Sequence, residues 1–148
     1  MSSKIFPSGS LIKNMGLSII KMTNPNIKIS LHTVDPGDIS GDAVWGDMTD
    51  ELSGTGYTAG GESVTGIVWD YTGNTTKFDS DDIIWATLTG TFRFAIIYVD
   101  ETIDGVVKPI IAKVGLDYNA SDAIQDVVVT AVSYSIVWNA KGIVLFNK

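Results

Sequence analysis

From residue 27 onward, short runs rich in β-branched and aromatic residues follow one another, and no helical period separates them. They fall at 27–32, 64–71, 83–88, 92–99, 107–114, 126–138 and 142–146. A parallel sheet needs crossover helices between its strands, and their absence leaves antiparallel architectures. The chain is therefore expected to be mainly β, an antiparallel sandwich, jelly-roll-like body or barrel. Ile27, Ile29 and Leu31 alternate with Lys28, Ser30 and His32, the period of a half-buried strand, which puts His32 on the polar side. In 92–99 both faces are apolar, as in a central strand covered on each side. Asp104-Gly105 supplies a hairpin turn. Tyr71-Thr72-Gly73-Asn74 reads as another, and Asn139-Ala140-Lys141-Gly142 as the turn joining the last two strands.

The first 26 residues read differently. Leu11, Ile12, Met15, Ile19 and Ile20 share one helical face, Ser8 or Ser10 stands where a cap belongs, and Asn24-Pro25 stops the pattern. This predicts a short helix within 8–22, on an arm of residues 1–26 preceding a single β domain, 27–148. Within that domain, 33–61 is a long polar excursion, rich in glycine and acids. It is read as a surface loop packed by its own Val44, Trp45, Leu52 and Tyr57.

Composition narrows the function classes. At 148 residues the chain is the size of one domain. It has no cysteine and one histidine, which excludes thiol chemistry, disulfides and multi-histidine metal centres. Ten basic against seventeen acidic residues give a net charge of −7, the wrong sign for a nucleic-acid binder. No apolar run reaches the roughly 20 residues of a membrane span, and the N-terminus lacks the apolar stretch of a secretory signal, so a cytoplasmic product is expected.

Each chemically suggestive feature has a plainer reading. Ser53 to Gly61 is glycine-rich, but Glu62 follows where a phosphate-binding loop needs lysine, so it reads as a sharp turn anchored by Tyr57. Asp35, Asp38, Asp42, Asp47, Asp50 and Glu51 do not follow EF-hand spacing and read, with Asp79, Asp81 and Asp82, as a solvated acidic face, with a structural calcium site as the competing use. His32 has no nucleophile elbow to serve and reads as a surface histidine. No catalytic, cofactor or metal residue is assigned, and the chain is not expected to be an enzyme. The four tryptophans and five tyrosines read mainly as core, with a glycan platform as the competing use.

Four segments carry a resemblance. They are VWGDMTDELSGTGYTAGG (Val44–Gly61), FDSDDIIWATLTGTFRFAIIYVD (Phe78–Asp100), KPIIAKVGLDYNAS (Lys108–Ser121) and YSIVWNAKGIVLF (Tyr134–Phe146). In this order they resemble a family of small structural proteins of tailed bacteriophages, over roughly residues 27–147. The chain departs at Gly115-Leu116-Asp117-Tyr118, where the family has Asp-Phe-Gly, and residues 1–26 match less clearly. The resemblance implies a virion component of the capsid decoration or cement type. It would bind the major capsid protein and sit on the capsid surface as a homo-oligomer, a trimer or dimer. A tail, fibre or neck module that binds host glycans or another virion protein is the alternative. Leu11, Ile12, Met15 and Ile19 on the helix, with Trp45 and Tyr57 in the excursion, are the expected interface residues. No nucleic acid, membrane or cofactor is expected.

Overall fold

The computed structural model describes residues 3–72, 75–138 and 144–147. It is mainly β and antiparallel, with one short helix, in a sandwich-like or barrel-like arrangement. The elements in chain order are β1 (Lys4–Pro7), α1 (Leu11–Gly16), β2 (Ile27–His32), a 3-10 turn (Trp45–Asp47), β3 (Glu62–Ser63), β4 (Val68–Thr72) and β5 (Thr75–Asp79). They continue with β6 (Ile83–Phe92), β7 (Phe94–Val99), β8 (Thr102–Ile103), β9 (Val106–Val107), β10 (Ile110–Gly115), β11 (Val127–Ile136) and β12 (Val144–Asn147).

A five-stranded sheet in the order β1-β10-β7-β2-β3 forms the middle of the molecule. One of its faces meets the long ribbon β6·β11 and the sheet β12-β5-β4. Ile27, Ile29 and Leu31 of β2, Ala95, Ile97 and Val99 of β7, and Trp85, Leu88 and Phe92 of β6 share this main core. The opposite face of β7 carries Ile96 and Tyr98, which pack with Ile110 under Ile39, Ala43, Trp45 and Met48 of the excursion. All six residues of β7 are buried, as two apolar faces require.

Several sequence expectations change here. The excursion is not self-packed. Its middle forms a covering layer over the five-stranded sheet, and Leu52 enters the main core. That layer explains His32, which is buried at 1% exposure rather than placed on a polar surface. Residues 4–7 are no loose arm, because β1 pairs with β10 from Lys4↔Gly115 to Pro7↔Ala112. Pro7 is tolerated there because β1 is an edge strand. The helix is only six residues long and stops at Gly16. Ser18 then takes a positive φ of 60°, which turns the chain so that Ile19, Ile20 and Met22 reach the main core without helical geometry. Ser10 stands at the N-cap, but its side chain makes no capping hydrogen bond.

The hairpin through Asp104-Gly105 forms between β8 and β9. The strands β4 and β5 pair as far as Thr72↔Thr75, while the expected turn residues Gly73 and Asn74 lie outside the described residues. Among the described residues, β11 and β12 do not pair with each other as the expected last hairpin requires. The strand β11 pairs with β6 and β12 pairs with β5, and the turn expected at 139–142 lies outside the described residues.

Candidate interaction surfaces

The glycine-rich segment 53–61 is a clasp. Thr89 donates its N–H to Thr55 O at 2.9 Å, tying the segment to β6. The Tyr57 hydroxyl accepts from Leu31 N–H at 3.1 Å and donates to Glu51 Oε1 at 2.7 Å. Gly60 N–H reaches the same carboxylate oxygen at 2.5 Å, and the Tyr98 hydroxyl donates to Gly60 O at 2.7 Å. Burial, reinforced by the Glu51 carboxylate, raises the Tyr57 hydroxyl far above its usual range and keeps it a donor. The sharp-turn reading and the anchoring role of Tyr57 both hold.

Beside the clasp, the polar residues of β2 form a closed chain under the covering layer. Trp45 Nε1–H donates to Ser30 Oγ at 2.9 Å, and Ser30 Oγ lies 3.0 Å from His32 Nε2. His32 Nδ1 lies 2.7 Å from the Thr49 carbonyl, which only accepts, so Nδ1 carries the proton and Nε2 accepts from serine. Every member is satisfied with a neutral ring. Trp45 stacks on Tyr98 with ring centroids 5.1 Å apart, and Lys108 Nζ sits 4.8 Å from the Trp45 ring centroid. Asp100 receives Lys28 at 2.8 Å and Lys108 at 2.9 Å. The serine beside this histidine is engaged at both ends, accepting from Trp45 and donating to the ring.

Burial lowers the His32 imidazole below its ordinary value, outweighing the Thr49 carbonyl and the Glu51 and Asp50 carboxylates that pull upward. The unfolded chain takes up a proton near pH 6.5, whereas the folded chain resists it. Stability is therefore flat above about pH 6.5 and falls as pH drops below it. Asp100 acts in a separate window. Lys108 and Lys28 hold its carboxyl below the usual range, so its contribution is lost only as pH falls through that lower value. Thermal melts between pH 7.5 and 5 should show the decline in the wild type and a flatter profile in His32→Gln. Equal slopes in the two proteins would assign the decline to other groups.

The expected interface residues divide. Leu11 and Ile19 are buried at 1% and 7% exposure, and Met15 packs against the main core. Trp45 is half-buried against Tyr98, and Tyr57 is half-buried in the clasp. Ile12 alone of the six projects outward, at 63% exposure. The helical face that suggested an interface is thus mainly the face that docks α1 on its own domain.

Two outer faces of the described residues lie on opposite sides of the five-stranded sheet. The covering layer exposes Asp35, Asp38, Asp42 and Asp47. Asp38 binds Ser40 N–H and Oγ, Asp47 accepts from Val44 N–H, and Asp42 pairs with Lys13. Asp35 pairs with Lys113 beside a cleft of about 400 Å³ floored by Phe6, Phe94 and Tyr118. These carboxylates form turns and separate ion pairs, and among the described residues no group of three histidine, aspartate or glutamate side chains is placed to hold a metal ion. The opposite face is the outside of β6·β11, where Ile84, Val128 and Val132 are 60%, 68% and 48% exposed. Sequence reasoning missed this face, although the signal was available: neither ten-residue strand contains a charged residue.

No family model, characterised protein or solved structure was found to match this chain.

Proposed function

We propose that the chain is a structural protein of a bacteriophage virion, of the decoration type, which binds the assembled major-capsid lattice and stabilises the head. One observation carries the reading. The segments on which the resemblance rests are packed on one another. Trp45 stacks on Tyr98, and Tyr98 holds Gly60. Trp45 N–H donates to Lys108 O at 2.9 Å, and Phe92 meets Tyr134 edge-on at 4.9 Å. Motifs distributed along the chain thus work as one frame, which favours a shared body over scattered similarity. The acidic covering layer supplies a second support, because exposed carboxylates complement a basic patch and disfavour packaged nucleic acid.

The test is a pelleting assay with undecorated expanded capsids, unassembled major capsid protein and isolated tails. Saturable binding to the shells alone, weakened by added salt, is the expected result. Equal binding to unassembled subunits would reject a lattice clamp. A second reading, a tail module that stacks on host glycans, draws support from Trp69 and Tyr71 on β4, exposed at 36% and 63%. Binding to tails and not to shells would select it.

A further inference from the structure

We propose that the cleft between β1 and the covering layer receives an arginine side chain of a basic partner protein, its guanidinium on the Asp38 carboxylate and over the Phe6 ring. The inference rests on the decoration reading only for which protein carries the arginine.

The strand pairing opens the cleft. Phe6 of β1 is opposed to Lys113 of β10, and Lys113 to Ile96 of β7, so the three share one face of the five-stranded sheet. The covering layer closes over Ile96, which is fully buried, but leaves Phe6 on the edge strand half exposed. Tyr118 adds a further wall. Its ring lies where a side chain at position 115 would stand, and Gly115 admits it, since a Cβ there would be 2.4 Å from the Tyr118 hydroxyl. The space enclosed is about 400 Å³. That is at the low end of the roughly 300–1,000 Å³ of ligand pockets and suits a side chain rather than a folded element.

Two ion pairs built into the same region show what its surfaces take. Lys113 Nζ donates to Asp35 Oδ1 at 2.8 Å and lies 5.6 Å from the Phe94 ring centroid. Lys4 pairs with Asp122 and lies 4.9 Å from the Tyr118 ring centroid. Each is an ammonium shared by a carboxylate and an aromatic face, and both attract a cation. Asp38 and Phe6 bring the same two components to the cleft. Asp38 accepts from Ser40 N–H at 2.8 Å and from Ser40 Oγ at 2.7 Å, one bond to each oxygen, so each oxygen keeps a lone pair. Among the described residues, no lysine or arginine pairs with Asp38 and no cation lies over Phe6. The chain supplies the acid and the ring, and the partner supplies the cation.

Charge at the rim selects that partner. The Lys113 side chain is 13% exposed and the Asp35 side chain 60%, so an approaching molecule meets the carboxylates before the ammonium. Asp42 and Asp47 add exposed acid to the same layer, in a protein of net charge −7. Such a surface steers a basic protein toward the cleft and turns acidic ones away. Arginine suits the cleft better than lysine, because its planar fork stacks on a ring and grips a carboxylate at the same time.

NMR titration of the isotope-labelled protein with Nα-acetyl-arginine amide, to about 50 mM at matched ionic strength, tests the inference. A single side chain should bind with a Kd in the millimolar range and shift the Phe6, Ser40 and Tyr118 signals together. Nα-acetyl-citrulline amide, which keeps the shape and loses the charge, should leave those signals in place. Asp38→Asn should weaken binding at least about 10-fold and Phe6→Leu about 3-fold. Absent shifts, equal shifts with citrulline, shifts that map away from the cleft, or an Asp38→Asn protein that binds as the wild type does would each overturn the inference. In the pelleting assay, loss of shell binding by Asp38→Asn identifies the shell as the carrier of the arginine. Shell binding that survives the substitution overturns the claim that this cleft meets the partner. A wild type that binds arginine but no shell upholds the cleft and rejects the decoration reading instead.

Discussion

Gly56→Ala should detach the 53–61 clasp from β6 and cost on the order of 3 kcal/mol. At Gly56, φ is +80°, a region alanine occupies only at a cost of about 1–2 kcal/mol. A Cβ there would lie 1.4 Å from the Thr87 carbonyl oxygen, and that neighbour is strand backbone with no rotamer to escape into. The clasp must lift, and lifting it weakens the Thr89–Thr55 hydrogen bond and the seat of Tyr57. Gly61→Ala should behave the same way, with φ at +78° and its Cβ 1.9 Å from the Ile29 carbonyl oxygen. Gly16→Ala is the internal control. Nothing lies within 4 Å of a Cβ at that position, so the change should be neutral or mildly stabilising. Urea unfolding of the three variants would check the ranking. A Gly56→Ala protein as stable as Gly16→Ala would mean that the clasp does not press on β6.

How much of this was legible follows from which forces are local. The strand positions of β2, β6, β7, β10 and β11 could be read because alternation and β-branching are properties of neighbouring residues. Pairing is not local. Nothing near Val144 indicates that its partner is Phe78 rather than a residue of β11. The strand β1 was hidden because four residues ending in proline carry little pattern, and it exists through its long-range pairing with β10. The helix was over-extended because Ile19 and Ile20 keep helical spacing while reaching the core through the turn at Ser18. His32 was misplaced for a related reason. Alternation identifies two faces of β2 but cannot say that a loop will return to cover the second one. The same covering layer turns Ser30, His32 and Trp45 from apparent surface groups into a satisfied internal chain.

The candidate surfaces divide along the same line. The acidic face was visible as composition, because Asp35, Asp38, Asp42 and Asp47 lie within thirteen consecutive positions. The uncharged face required the structure. In sequence, Ile84, Val128 and Val132 look like core residues, and only the register tells them apart from Trp85 and Val127. A side-chain period of two makes adjacent residues opposite in fate.

That contrast gives the other large effect. Trp85→Ala should cost about 3–5 kcal/mol, whereas the adjacent Ile84→Ala should leave monomer stability within about 0.5 kcal/mol. Trp85 is 1% exposed, and its ring meets Tyr134 at 6.0 Å between centroids. Tyr134 in turn takes Phe92 edge-on. Removing the indole leaves a void in the layer that joins the ribbon to the five-stranded sheet, and rigid strands on both sides limit its collapse. Against a total of about 5–15 kcal/mol for a domain, that loss brings unfolding close to working temperatures. Ile84 is 60% exposed and directly opposite Ser135, so its truncation opens no cavity. Denaturant titrations of the two variants check the contrast. Comparable losses of monomer stability at positions 84 and 85 would contradict the register of β6 against β11 and, with it, the assignment of an outward face to the ribbon.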